Sequence, residues 1–140
     1  MVDLAVHQQD EVVSIQQIAE RQGISESYLE QLVRLLKKAS LVSSVRGAGG
    51  GYRLALPADQ ISVGQVLRAL EGDLHAVTCT AFEEDAGCES ADCCVTKIVW
   101  KKINDAIAQT VDGILLSELV GESRRLLEEN GKTEAPSCEH

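Results

Sequence analysis

The stretch SIQQIAERQGISESYLEQLVRLLKK constrains the fold more than any other part of the chain. It holds two helix-periodic segments, each with its own start signal, separated by a turn too short for anything to intervene. Ser14 followed by Gln17 has the spacing of a capping box, and Gly23 supplies a stop. Between them Ile15, Ile18 and Ala19 share one face. Ser25 then caps a second helix expected to run to about Ala39. Its Leu29, Leu32, Val33 and Leu36 fall at i, i+3, i+4 and i+7, the spacing of a core face. On the other side Ser27, Gln31, Arg34 and Lys38 form a polar stripe. Two helices joined by a tight glycine-containing turn describe a helix-turn-helix, in which the second helix reads a groove of DNA.

LVSSVRGAGGGYRLAL follows directly. Two β-favouring runs flank GAGGG, which predicts a hairpin with a side-chain-poor tip. No helix opens after these glycines and no P-loop lysine follows, so a phosphate cradle is a poor reading. A wing beside the reader helix is the better one. The expected DNA-contacting set is Ser25, Ser27, Tyr28, Glu30, Gln31, Arg34 and Lys38 with Arg46, Gly49, Gly50 and Tyr52 of the wing. Gln and Ser can bond base edges, Arg34 and Lys38 suit phosphate or guanine, and Glu30 can accept from cytosine or exclude unsuitable sites. Tyr28 is expected to pack on the turn or touch a phosphate.

Charge bears on this reading. The 140-residue chain carries a net −9, which taken alone argues against nucleic acid. The charge is uneven, however. Arg21 to Leu56 holds six basic and two acidic residues; from Pro57 onward there are seven basic and sixteen acidic. A locally positive face binds phosphate because salt screens the remainder within about 10 Å.

ISVGQVLRALEG predicts a third capped helix, with Ser62 and Gln65 as its box, Val63, Val66, Leu67 and Leu70 inward, and Gly72 at its end. Ahead of everything, MVDLAVHQQ reads as the last two turns of a helix. After Cys94 the pattern is helical again for a long stretch, with Val95, Val99 and Ala106 on one line and Ile98, Ile103 and Ile107 near another. That is more apolar surface than one small neighbour covers, so a partner helix from a second copy is expected. GILLSELVG adds a short element, and ESRRLLEEN either continues it or begins a charged, partly disordered tail. The organisation expected is thus a DNA-binding domain over 1–72, a cysteine-rich loop over 73–94, a dimerisation helix with a short terminal element over 95–121, and the tail over 122–140.

Four of the five cysteines crowd into CTAFEEDAGCESADCCVTK, among acidic residues and without periodicity. The opening lacks a basic n-region and a long apolar h-region, so a cytoplasmic chain is expected. There, clustered thiols mean metal or redox chemistry more often than disulfides. Structural zinc usually shows C-x2-C pairs, which are missing. Cys93 and Cys94 are adjacent, and because successive side chains diverge, one metal is expected to take only one of them. No nucleophile–base pattern and no H-E-x-x-H is present, so no enzyme activity is expected.

ERQGISESYLEQLVRLLKKASLVSSVRGAGGGYRL, followed by a cysteine loop and then CCVTKIVW, closely resembles the IscR-type iron–sulfur regulators. The resemblance runs from Met1 to about Val120. SYLEQL and VRGAGGGY together are highly specific. It implies a fold that is mainly α with a small β-hairpin wing: a winged helix-turn-helix plus a long dimerisation helix. It also implies a homodimer on a palindromic duplex, a 2Fe–2S cluster, control of iron–sulfur biogenesis genes in the manner of a repressor, and contact with iron–sulfur assembly proteins. Ser27, Glu30 and Gln31 match the family's base-reading positions, Arg46 its wing arginine, and Cys79, Cys88 and Cys94 its cluster cysteines. The Cys79–Cys88 spacing is longer than in the best-known members, and the family's basic opening is not present here. Lys97 stands where those members have histidine. It costs about 4–5 kcal/mol to deprotonate at neutral pH, so its ammonium is expected to face the cluster and offset negative charge. The fourth ligand is left among Cys93, His7, His75, an acidic residue, a residue of the family's N-terminal opening and an external thiol, with Lys97 itself the costlier choice. Two other functions fit the same residues: a cluster-free regulator of cysteine metabolism, and an iron–sulfur carrier or redox protein.

Overall fold

The computed structural model describes residues 1–8, 12–76 and 94–129. Six helices and one hairpin appear there: α1 (Val2–His7), α2 (Ile15–Gln22), α3 (Glu26–Lys38), β1 (Val42–Val45), β2 (Gly51–Leu54), α4 (Val63–Glu71), α5 (Val95–Gly113) and α6 (Leu116–Glu129). A short 3-10 turn, Ala58–Gln60, precedes α4. The mainly helical fold with a hairpin wing is as expected.

The local signals act through the expected bonds. Gln17 N–H donates to Ser14 Oγ at 3.1 Å, and Ser14 N–H donates back to Gln17 Oε1 at 3.0 Å. Ser62 and Gln65 repeat the box at the start of α4. Gly23 ends α2 in the left-handed region at φ 64°. The last turn of α3 has no such glycine. Ser40 adopts φ 59°, and the N–H groups of Ser40 and Leu41 donate to the carbonyls of Lys37 and Leu36.

β1 and β2 pair antiparallel with Val42 opposite Leu54 and Ser44 opposite Tyr52. The hairpin is sewn to the entrance of α2 by two bonds between the backbones of Val13 and Tyr52, at 2.9 and 2.8 Å. Gly51 permits that approach, since a Cβ there would lie 2.7 Å from the Val13 carbonyl oxygen.

One core joins the inner faces of α2 and α3, the hairpin base, α1 and the start of α6. Ile61 is wholly buried at its centre, with Leu29, Val33, Leu36, Val42 and Leu116 nearby in the same cluster. Burial of each such side chain contributes about 1.5–3 kcal/mol.

α6 takes the course in which ESRRLLEEN continues the terminal element as helix. It runs 14 residues, across the 121/122 boundary, and packs on α1 and the 3-10 turn. Leu116 and Val120, four apart, reach the core, while Arg125 pairs with Glu122 and Glu129 along the solvent side. α5 contrasts with it: among its 19 residues none is buried, and Val95, Ile98 and Val99 are more than half exposed.

Candidate nucleic-acid interface and metal centre

α3 presents one complete polar face. Ser27, Glu30, Gln31, Arg34 and Lys38 are all exposed along it, opposite the buried Leu29–Val33–Leu36 line. Ser25 stands at its N-cap, where Tyr28 N–H donates to its hydroxyl oxygen at 3.3 Å. Ser25 thereby orients the first turn, and its O–H remains able to donate outward. Tyr28 itself is 52% exposed, suited to a phosphate contact.

The wing lies beside this face. Arg46 and Gly49 are exposed at its turn, and Gly47 there has φ 120°, a conformation reserved for glycine. Gly50 is more enclosed: its N–H donates to the Gly47 carbonyl, and a Cβ would collide with the Val45 carbonyl oxygen. That bond closes the turn at the tip.

Between reader helix and wing runs a polar cleft of about 270 Å³, lined by Glu30, Val33, Arg34, Lys37 and Tyr52. The structure brings Tyr52 here with a residue outside the expected contact set, Lys37. Its ammonium donates to Ser44 Oγ at 2.8 Å and stands 6.0 Å above the Tyr52 ring. Because Ser44 and Tyr52 are cross-strand partners, this one cation engages both strands of the wing. The available signal was its spacing, three residues after Arg34 and seven after Glu30, which puts it on their flank of the helix.

At the opposite end, Cys94 is the N-cap residue of α5 and is partly exposed. Its thiol is held below the ordinary value, first by the hydrogen bond with the Thr96 hydroxyl at 3.0 Å, then by the Lys97 N–H, with smaller help from the Thr96 N–H and the Lys97 charge. A thiol lowered in this way at a helix start gives up its proton more readily, as any metal ligand must. Lys97, one turn on, is half-buried. Cys79, Cys88 and Cys93 lie outside the described residues, and among the described ones no three His, Cys, Asp or Glu side chains cluster to hold a metal. His7 donates through Nδ1 to the Asp3 carbonyl at 2.8 Å, within α1. His75 is exposed just beyond α4. No described helix is long and apolar enough to cross a membrane.

Comparisons with known proteins accord with this geometry. Residues 1–122 match the family model of Rrf2, described as an iron-dependent transcriptional regulator. The HTH-type transcriptional regulator IscR of Aliivibrio salmonicida is 47% identical over 120 residues, covering 86% of this chain and 70% of the relative. That of Photorhabdus laumondii is 42% identical, covering 98% of this chain and 84% of the relative. Among solved structures, CymR, the global cysteine regulator of B. subtilis, superposes with a TM-score of 0.69 at 36% identity, over 86% of this chain and 87% of that one. T. potens IscR gives 0.66 at 43%, over 86% and 77%. This chain belongs to the Rrf2 family and is a DNA-binding transcriptional regulator rather than an enzyme.

Proposed function

We propose that the protein is a cytoplasmic homodimer that binds a palindromic operator and adjusts the expression of iron–sulfur biogenesis genes to cluster status. The observation that carries the reading is the fully exposed polar face of α3, flanked by a wing whose Arg46 projects beside it. Ser27, Glu30 and Gln31 would read base edges in the major groove, Arg34, Lys38 and Tyr28 would hold phosphates, and Arg46 would enter the minor groove. Two copies would join through the apolar stripe of α5, since Val95, Ile98 and Val99 are more than half exposed among the described residues and Ile103 is 37% exposed beside them.

Cys79, Cys88 and Cys94 are the proposed ligands of a 2Fe–2S cluster, which would supply an iron- and redox-responsive link among thiolates. Cys94 would tie that link to the first turn of α5. Lys97, with its ammonium near the same turn, would offset negative charge rather than ligate. The IscR relatives support this reading. A second reading, a regulator of cysteine metabolism without a cluster, is supported by the likeness to CymR.

Two measurements decide. Anaerobically reconstituted protein should contain iron and sulfide and absorb in the visible, and a Cys79→Ala/Cys88→Ala/Cys94→Ala variant should not; colourless wild type favours the second reading. Binding to a palindromic duplex should fall steeply with salt and be lost in Gln31→Ala/Arg34→Ala. A wild type that binds no duplex ends both readings.

A further inference from the structure

α4 and α5 are joined more elaborately than packing requires. Arg68 donates from Nη1 and Nη2 to the two carboxylate oxygens of Asp112, at 2.6 and 2.8 Å. This is the fork-to-fork arrangement that fixes angle as well as distance. One turn earlier on α4, Gly64 is buried, and a Cβ built there would overlap Asp112 Oδ1 and lie 2.9 Å from Arg68 Nη1. The missing side chain makes the slot that the carboxylate fills.

The backbone reinforces the joint. Val63 N–H donates to the Ile114 carbonyl at 2.9 Å and Leu116 N–H to the Ile61 carbonyl at 2.8 Å, on either side of a Ser62–Leu115 bridge. Farther up α5, Asn104 Oδ1 accepts the Ala76 N–H at 2.9 Å. The side chains of Arg68 and Asp112 are 37% and 46% exposed, and a pair so wet adds little to stability. Its geometry is therefore better explained by orientation.

We infer that Gly64, Arg68 and Asp112 form a latch that sets the angle between the reader domain and α5, and with it the half-site spacing the protein accepts. The inference rests on the proposed α5-mediated dimer on a palindrome. There, each reader helix is carried on its own α4–α5 joint, so any looseness in the joint moves the two readers relative to each other. Adding one base pair between half-sites shifts one of them by about 3.4 Å and rotates it by about 35°. A rigid joint rejects that change; a loose one absorbs it. All three are positioning residues, none of them on the α3 face.

The test uses the full chain and a palindromic duplex selected by the wild type from a random-sequence library, together with versions having one central base pair added or removed. The wild type should lose about tenfold or more in affinity for either altered spacing. Arg68→Met and Asp112→Asn should lose no more than about threefold, while thermal unfolding stays close to wild type, as expected for an exposed pair. Gly64→Ala should act likewise by displacing the carboxylate. If the variants keep the wild-type spacing penalty, the latch is wrong while the dimer reading stands. If the wild type selects no duplex, or selects single half-sites, the dimer reading fails and the latch with it.

Discussion

Asp3 of α1 holds Arg21 of α2 in a two-pronged grip, Nε to Oδ1 at 2.9 Å and Nη2 to Oδ2 at 2.7 Å, with the Asp3 side chain only 7% exposed. Gln22 adds a third donor to the same carboxylate at 3.1 Å. Burial pushes this carboxyl up, but the hydrogen bonds and charge of Arg21, with His7 and Gln22, outweigh it and hold the group below its ordinary value. Breaking a fully buried pair costs about 3–5 kcal/mol. Arg21 is 21% exposed, so Asp3→Asn should cost less, about 1–3 kcal/mol, read as a lower denaturation midpoint. A depressed folded value stabilises above the unfolded one and is lost as pH falls through the folded one. Wild type should therefore lose this contribution below about pH 4, and the Asn variant should show a shallower acid limb.

Ser40 adopts a left-handed conformation, φ 59°, where α3 ends. That conformation costs an ordinary residue about 1–2 kcal/mol, and glycine about none. Ser40→Gly should raise stability by about 0.5–1 kcal/mol, after its own loss of chain entropy. An unchanged or lower midpoint would contradict the strain.

The starts of helices were the most legible features of the sequence, because a capping box is a bond between residues three apart. Ser14 with Gln17 and Ser62 with Gln65 could be read directly, as could Gly23, whose stop needs only its own φ. The end of α3 could not be placed by glycine, since Ser40 does the work instead. The polar face of α3 followed from periodicity. What lay beyond reach were pairings set by tertiary packing: Lys37 with Ser44 and Tyr52 across the wing, Arg68 with Asp112 over 44 positions, and α6 on α1. The length of α6 was left open by the sequence, because its apolar residues are few and the charge of its second half resembles a tail. Cys94 was singled out by its spacing to the following VTK and VW in the family the chain resembles; the rest of the thiol set lies outside the described residues.

Gly51 lies where the wing meets the entrance of α2. Gly51→Ala would place a methyl group 2.7 Å from the Val13 carbonyl oxygen and 2.9 Å from its carbon, both backbone atoms that cannot swing aside. The Val13–Tyr52 bonds should lengthen, at a cost of about 1–3 kcal/mol. Hydrogen exchange should accelerate at the Val13 and Tyr52 amides before it does in α2.

Glu30 lies in the reader-side cleft with Arg34 and Lys37. A carboxylate facing DNA is repelled unless a cytosine amino group donates to it. Glu30→Ala should therefore relax sequence preference more than it weakens binding, seen as broader base usage in duplexes selected from a random pool. A uniform loss of affinity with unchanged preference would remove its selecting role.

Lys37 should behave in the opposite way. Its ammonium uses one donor on Ser44 Oγ and overlooks the Tyr52 ring in the cleft it lines, which leaves two N–H groups able to meet a backbone phosphate. A phosphate contact carries no sequence information, but it releases a counterion. Lys37→Ala should thus weaken binding about equally for all duplexes and reduce the salt slope by about one. Ser44→Ala, which keeps the charge and removes only the hydroxyl that steadies it, should leave the slope unchanged and lower affinity less. If Lys37→Ala alters base preference at the wing positions while the slope stays constant, the lysine braces the wing against α3 instead of gripping the backbone.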